Sequence, residues 1–236
     1  MKLLVSVRSA AEAETALLAG ADIIDAKDPS AGALGAVELD VFADIHGAVG
    51  GRRPVSAALG DATSVARVEQ LATSFVARGA QIVKIGFVGV SSESRVRELI
   101  EATVGASGGA NVVAVANADT STDGSVDANR LIDIAAVGGA KGMLIDTADK
   151  TGPGLTTLWS GNELSRWIAR VHEHGLFAAV AGKLQARDVT RVAESGADVA
   201  GVRGAACDGG RNGRVTRELV QRLVDEARHA DRAVSA

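Results

Sequence analysis

The sequence has no tyrosine, a single cysteine and three prolines, and aromatic residues make up only 3% of its 236 positions. So few aromatics leave no platform on which nucleic-acid bases would stack. The formal charge of −4 offers no basic excess to displace phosphate counterions, so no nucleic-acid partner is expected. The lone Cys207 excludes an intramolecular disulfide framework. Apolar runs stay far short of the roughly 20 residues a membrane helix needs, so no membrane partner is expected either. Residues 1–5 run directly into a strand-like segment without signal-peptide anatomy, and a soluble, cytoplasmic protein is expected.

What is present is alternation. Short runs rich in Val, Ile and Ala fall at 3–7, 22–26, 54–58, 82–86, 112–116, 142–146, 177–181 and 198–203. Continuous apolar runs of this length suit strands covered on both faces, as in a parallel sheet. Between them lie stripes with helical spacing, such as Val65, Val68, Leu71 and Phe75, or Val215, Leu219 and Leu223. Ser9 with Glu12, and Ser160 with Glu163, have capping-box spacing at expected helix starts.

A phrase also recurs: Gly20-Ala21-Asp22, Gly79-Ala80-Gln81, Gly139-Ala140-Lys141 and Gly196-Ala197-Asp198, at intervals of 59, 60 and 57 residues. Each glycine can close a helix in the left-handed conformation before the chain enters a strand. The interval corresponds to two βα units; ancestry and the needs of a tight αβ turn both account for it. Eight units of about 30 residues each predict an α/β fold, a single (β/α)₈ TIM-type barrel spanning 1–236. An open doubly wound sheet explains the quarter repeat less well.

In such a barrel the chemistry sits at the C-terminal ends of the strands. The chain has 19 arginines but only six lysines, so the remaining lysines are candidates for tasks that need an amine. Lys27 and Lys84 end strands two and four, while Lys150 and Lys183 follow strands six and seven. Strand parity points Asp25 and Lys27 the same way, and Lys84 and Asp146 come from other even-numbered strands, so all four are expected to converge. A free lysine, with a pKa of about 10.4, is a poor nucleophile. A neighbouring cation or desolvation frees its amine, whereas Asp25 would oppose that. The plain structural reading is that each lysine forms an ion pair with Asp25 or Asp146.

The glycine-rich segment from Arg203 and Gly204 to Arg214, together with Gly182 and Lys183 after strand seven, has the position and composition of a phosphate site. Asp61, Asn117 and Asp119 follow strands three and five, where they serve substrate binding or simple turns equally well. Cys207 has no histidine close in sequence and reads as a small residue of the phosphate loop. The histidines fall in expected helices, and no Cys/His cluster has metal-ligand spacing, so nothing demands a metal or an organic cofactor.

Several long phrases carry a resemblance. The run from Gly20 to Pro29 with its Ile23-Ile24-Asp25-Ala26-Lys27, Gly32-Ala33-Leu34-Gly35-Ala36, and Val55-Ser56-Ala57-Ala58-Leu59-Gly60-Asp61 are three of them. Val83-Lys84-Ile85-Gly86, Leu144-Ile145-Asp146-Thr147-Ala148 with Lys150 and Gly152, and Gly201-Val202-Arg203-Gly204-Ala205-Ala206-Cys207 are the others. Over residues 3–224 the sequence resembles the (5-formylfuran-3-yl)methyl phosphate synthase family. The resemblance implies a barrel that condenses two molecules of glyceraldehyde 3-phosphate, losing phosphate and water. The product would be 4-(hydroxymethyl)-2-furancarboxaldehyde phosphate, a precursor of methanofuran-type one-carbon carriers. It also implies that Lys27 is the Schiff-base residue, that Lys84 assists proton transfer, and that Asp25, Asp146 and Lys150 line the pocket. The segment 117–126 is shorter than the family pattern.

On this reading Lys84 and Asp146 move protons, Asp25 orients Lys27, and Lys150, Lys183 and Arg203 hold phosphates. A class I aldolase or triose-phosphate isomerase would use much the same residues without releasing phosphate. A non-catalytic sugar-phosphate sensor would leave the lysine pair unexplained. A triose phosphate is the expected small-molecule partner; a homo-oligomer stays open, since one sequence does not map surface patches.

Overall fold

The computed structural model describes residues 1–119 and 125–234. Part of the segment that is short against the family pattern, residues 120–124, therefore lies outside the described residues. Eight strands close into one parallel barrel: β1 (Lys2–Val7), β2 (Ile23–Ala26), β3 (Val55–Asp61), β4 (Ile82–Gly86), β5 (Asn111–Asn117), β6 (Gly142–Asp146), β7 (Phe177–Val180) and β8 (Val199–Val202). Closure comes from β1, which pairs with β8 from Lys2↔Val199 to Val5↔Val202. Around it run α1 (Ala10–Leu18), α2 (Leu39–Val49), α3 (Val65–Val76), α4 (Glu93–Ala106), α5 (Ala128–Val137), the short α6 (Leu155–Leu158), α7 (Gly161–Glu173), α8 (Val189–Glu194) and α9 (Arg217–Val234). A small hairpin, β9 (Cys207–Asp208) with β10 (Arg214–Val215), carries the loop between β8 and α9.

The recurring Gly-Ala phrase has a physical role at the bottom of the barrel. All four of its glycines have positive φ, between 83° and 98°. The residue two places later pegs the preceding strand: Asp22 accepts the Leu3 N–H at 2.9 Å, Gln81 that of Val55 at 2.8 Å, and Asp198 that of Ala178 at 2.7 Å. Asp22 and Asp198 thus lie just outside the strands in which the apolar pattern had placed them. Their carboxylates satisfy backbone donors at a buried strand start, which an apolar side chain cannot do.

Two caps and one stripe also resolve. Ser160 and Glu163 form the full reciprocal capping box of α7. Ser9 caps α1 through the Glu12 N–H, but the Glu12 carboxylate turns inward instead of returning to Ser9. Val215 belongs to β10, and α9 buries Val220, Leu223, Val224 and Ala227 in its place. The α3 stripe holds, with Val68 and Phe75 buried and Phe75 meeting Phe42 edge to face at 5.2 Å.

The barrel interior is layered. Ile23, Val113, Leu144, Ala179 and Val199 form an apolar floor. Phe177 reaches across it because position 142 is glycine: a Cβ there would stand 2.5 Å from the Phe177 ring. Above the floor the inward positions become charged. A register shift between Ala58 and Asp61 interrupts the β3–β4 ladder before its last pair, Asp61↔Gly86, and Leu34 from the loop after β2 drops onto Gly86 at the same place.

Candidate active site

A cavity of about 280 Å³ opens at the C-terminal end of the barrel. Among the described residues its walls include Lys27, Lys84, Lys150, Lys183, Arg203 and Arg211 but only two carboxylates, Asp25 and Asp146. A chain whose net charge is −4 thus concentrates cations in one place. Such a cavity favours anionic ligands.

Asp25, fully buried, is closed off by three donors. Lys84 Nζ lies 2.6 Å from Oδ1, Ser56 Oγ donates to Oδ1 at 2.7 Å, and Ser6 Oγ donates to Oδ2 at 2.8 Å. Register explains this set, since Asp25 pairs laterally with Ser6 of β1 and Ser56 of β3. Burial favours the neutral acid, but the Lys84 and Lys27 ammoniums outweigh it and hold the carboxyl below its ordinary pKa. Asp25 therefore anchors Lys84 rather than orienting Lys27, a correction to the role that the resemblance-based reading gave it.

Asp146, at the end of β6, has a different set of partners. It accepts Lys150 Nζ at 2.7 Å and the Thr147 N–H at 2.7 Å. Lys27 Nζ stands 3.9 Å from its other oxygen, too far for a hydrogen bond. Burial opposes ionisation here as well, and Lys150 and Lys27 reverse it, so the carboxyl stays below its ordinary pKa. Lys150 also donates to the Thr147 carbonyl, which fixes it over Asp146.

Lys27 is the amine set free. Its side chain is 11% exposed, and its pKa falls to about 8. Desolvation is the main cause; Lys84 and Lys150 add to it, while Asp146 and Asp25 pull the other way. At pH 7 about one such amine in ten is neutral, against fewer than one in a thousand for a free lysine. That is the state a nucleophilic lysine needs.

The phosphate candidates divide. Gly182, with φ of 106°, lies where a Cβ would sit 2.9 Å from Leu155 Cβ, so only glycine fits there. Lys183 follows at φ 58°, the one non-glycine residue with positive φ among the described residues, and its ammonium donates to the Gly152 carbonyl. Both line the cavity, as does Gly204 at the start of a 3₁₀ turn. Backbone strain held in this way clusters at ligand sites.

Arg203 is not a free phosphate ligand. Nη1 donates to Glu12 at 2.5 Å and to the Ser6 carbonyl at 3.0 Å; Nη2 donates to Glu12 at 3.2 Å and the Gly213 carbonyl at 2.9 Å; Nε donates to the Arg211 carbonyl at 3.1 Å. All five donors of the guanidinium are engaged. Burial resists the Glu12 charge, yet Arg203 holds that carboxyl below its ordinary pKa. Asp61 is likewise displaced: it does not line the cavity but accepts the Val88 N–H at 3.2 Å above Gly86. Asp119 accepts the N–H groups of Ala148 and Asp149, which shapes the turn that carries Lys150.

Ser6, Ser56 and the inward turn of Glu12 were missed from sequence, whereas Arg211 falls within the expected phosphate segment. For the two serines the signal was available, a hydroxyl alone within an apolar strand run, and such a group must find a partner when buried. Among the described residues no three His, Cys, Asp or Glu side chains gather where a metal ion could sit. Cys207 is buried, and burial pushes its thiol pKa up. No described helix is long and apolar enough to cross a membrane.

Comparison with known proteins adds an independent line. A solved structure of native KDPGal superposes with a TM-score of 0.67 at 17% identity, covering 98% of this chain and 97% of that one, which bears on the fold alone. The (5-formylfuran-3-yl)methyl phosphate synthase of Methanosarcina barkeri is 36% identical over 231 residues, covering 96% of this chain and 99% of its own. The enzyme of the same name from Methanopyrus kandleri is also 36% identical over 231 residues, covering 95% of this chain and 98% of its own. The model of the 4-HFC-P synthase family matches residues 3–224, and the chain belongs to that family.

Proposed function

We propose that this enzyme condenses two molecules of glyceraldehyde 3-phosphate into 4-(hydroxymethyl)-2-furancarboxaldehyde phosphate through an imine on Lys27. The observation that carries the reading is the loosely held, desolvated amine of Lys27 within reach of Asp146, in a cavity rich in cations. Atoms balance: two C₃H₇O₆P give C₆H₇O₆P, one H₃PO₄ and two H₂O. A C–O bond to phosphate breaks, which makes the enzyme a carbon–oxygen lyase acting on phosphates.

The neutral Lys27 amine adds to the aldehyde of one triose phosphate, and water leaves as the iminium forms. The iminium acidifies the adjacent C–H, and the Asp146 carboxylate is the base at hand. The resulting enamine expels phosphate from the β carbon; that carbon, after proton loss, then attacks C2 of the second triose, whose carbonyl has moved there from C1 through an enediol. Lys84, fixed by Asp25, keeps a cation beside Lys27 and supplies a proton to a leaving oxygen. Cyclisation, dehydration and hydrolysis of the imine release the furan aldehyde and return the Lys27 amine. Gly182, Lys183, Gly204 and Lys150 lie where phosphates would be held against the loops after β6, β7 and β8. The product would serve methanofuran-type carrier biosynthesis.

The test is mass-resolved product analysis after incubation with glyceraldehyde 3-phosphate, with free phosphate assayed in the same tube. A furan-aldehyde phosphate with about one phosphate released per product is the expected outcome. An aldol adduct that keeps both phosphates would replace this reading with that of an ordinary aldolase.

A further inference from the structure

Arg203 spends every donor within the protein, but the next arginine in the loop does not. The Arg211 guanidinium lines the same cavity as Lys27 and lies within the electrostatic reach of Asp146 and Asp28. Its side chain makes one hydrogen bond among the described residues, Nη2 to the Gly32 carbonyl at 2.7 Å. An arginine has five donors, so four remain for a ligand. The other cations of the mouth each have a partner already: Lys150 donates to Asp146 and Thr147, Lys183 gives one donor to the Gly152 carbonyl, and Lys84 pairs with Asp25.

The main chain of Arg211 is held in place rather than free. Its carbonyl takes Arg203 Nε, and its backbone packs on Gly204, with N and Cα 3.5 and 3.8 Å from where a Cβ there would stand. Arg203 is fixed in turn by Glu12, 191 residues earlier in the chain. A relay therefore runs from α1 through the end of β8 to the mouth, and Arg211 reaches across β1 to the loop that follows Lys27. Its planar fork suits a phosphate monoester, which it can bind through two parallel hydrogen bonds.

We propose that Arg211 binds the phosphate of the triose held on Lys27, and that Glu12 and Arg203 are positioning residues that aim it. This rests on the imine reading of Lys27 given above. The test compares borohydride trapping by glyceraldehyde 3-phosphate with trapping by unphosphorylated glyceraldehyde, and titrates inorganic phosphate into the same proteins by calorimetry. The ratio of the two trapping rates isolates recognition of phosphate, because a general loss of fold lowers both.

In Arg211→Ala that ratio is expected to fall about ten-fold or more, with weaker phosphate binding in parallel. Arg211→Lys should restore part of it, and Glu12→Gln should show a smaller loss of the same kind. An Arg211→Ala protein with the original ratio and phosphate affinity would overturn the assignment. If the unaltered protein traps neither aldehyde, the imine reading fails, and the phosphate titration alone decides the role of Arg211.

Discussion

Two buried carboxylates face lysines in this barrel, and the two pairings differ. Asp25 is saturated: Ser6, Ser56 and Lys84 all lie within 2.8 Å of it. Asp146 binds Lys150 and Thr147 tightly but leaves Lys27 at 3.9 Å. Desolvation then outweighs the pull of the more distant Asp146 on Lys27, and its pKa drops to about 8. Similar residues thus do separate work. One carboxylate closes a saturated ion pair; the other leaves an amine loosely held.

The largest effect that would break this contrast is at Lys27. Lys27→Arg keeps the positive charge but offers no amine for an imine, so product formation should fall by about three orders of magnitude or more. Denaturant unfolding should move little. Full activity in that variant would sink the imine scheme.

Removing each carboxylate tests the two halves against one another. Asp25→Ala leaves Lys84 and two serines without their acceptor, and urea unfolding should show a loss of about 3–5 kcal/mol. Asp146→Asn keeps the shape and a hydrogen-bond acceptor, so stability should change less while turnover falls about 100-fold. Equal stability losses in the two variants would erase the distinction.

A finer effect lies in pH. Imine formation requires the neutral amine, so the trapping rate should rise with pH through about 8 and level off above it. Asp146 favours the ammonium form of Lys27, so Asp146→Asn should shift this midpoint downward. A midpoint near the ordinary lysine value, about 10.4, would show that Lys27 is not desolvated.

Much of this could be read in the sequence, for definable reasons. Continuous Val/Ile/Ala runs marked the strands because both faces of a parallel barrel are buried. The even-strand lysines and aspartates converge as parity requires. Parity fixes which way a side chain points but not how far up the barrel it stands, so it could not say that Asp25 meets Lys84 and Lys27 meets Asp146. Arg203 looked like a phosphate ligand because its partner, Glu12, lies 191 residues away and had been read only as a helix cap. Asp61 stands at a strand end like the others, but the register shift beside it turns it away from the cavity. Ladder irregularities of that kind have no clear mark in composition.

The most direct test of the central claim is to locate the trapped adduct. After borohydride reduction with glyceraldehyde 3-phosphate, peptide mass mapping should place the adduct on Lys27 and leave Lys84 and Lys150 unmodified. An adduct on Lys84 or Lys150, with Lys27 intact, would contradict the assignment of the loosely held lysine as the nucleophile.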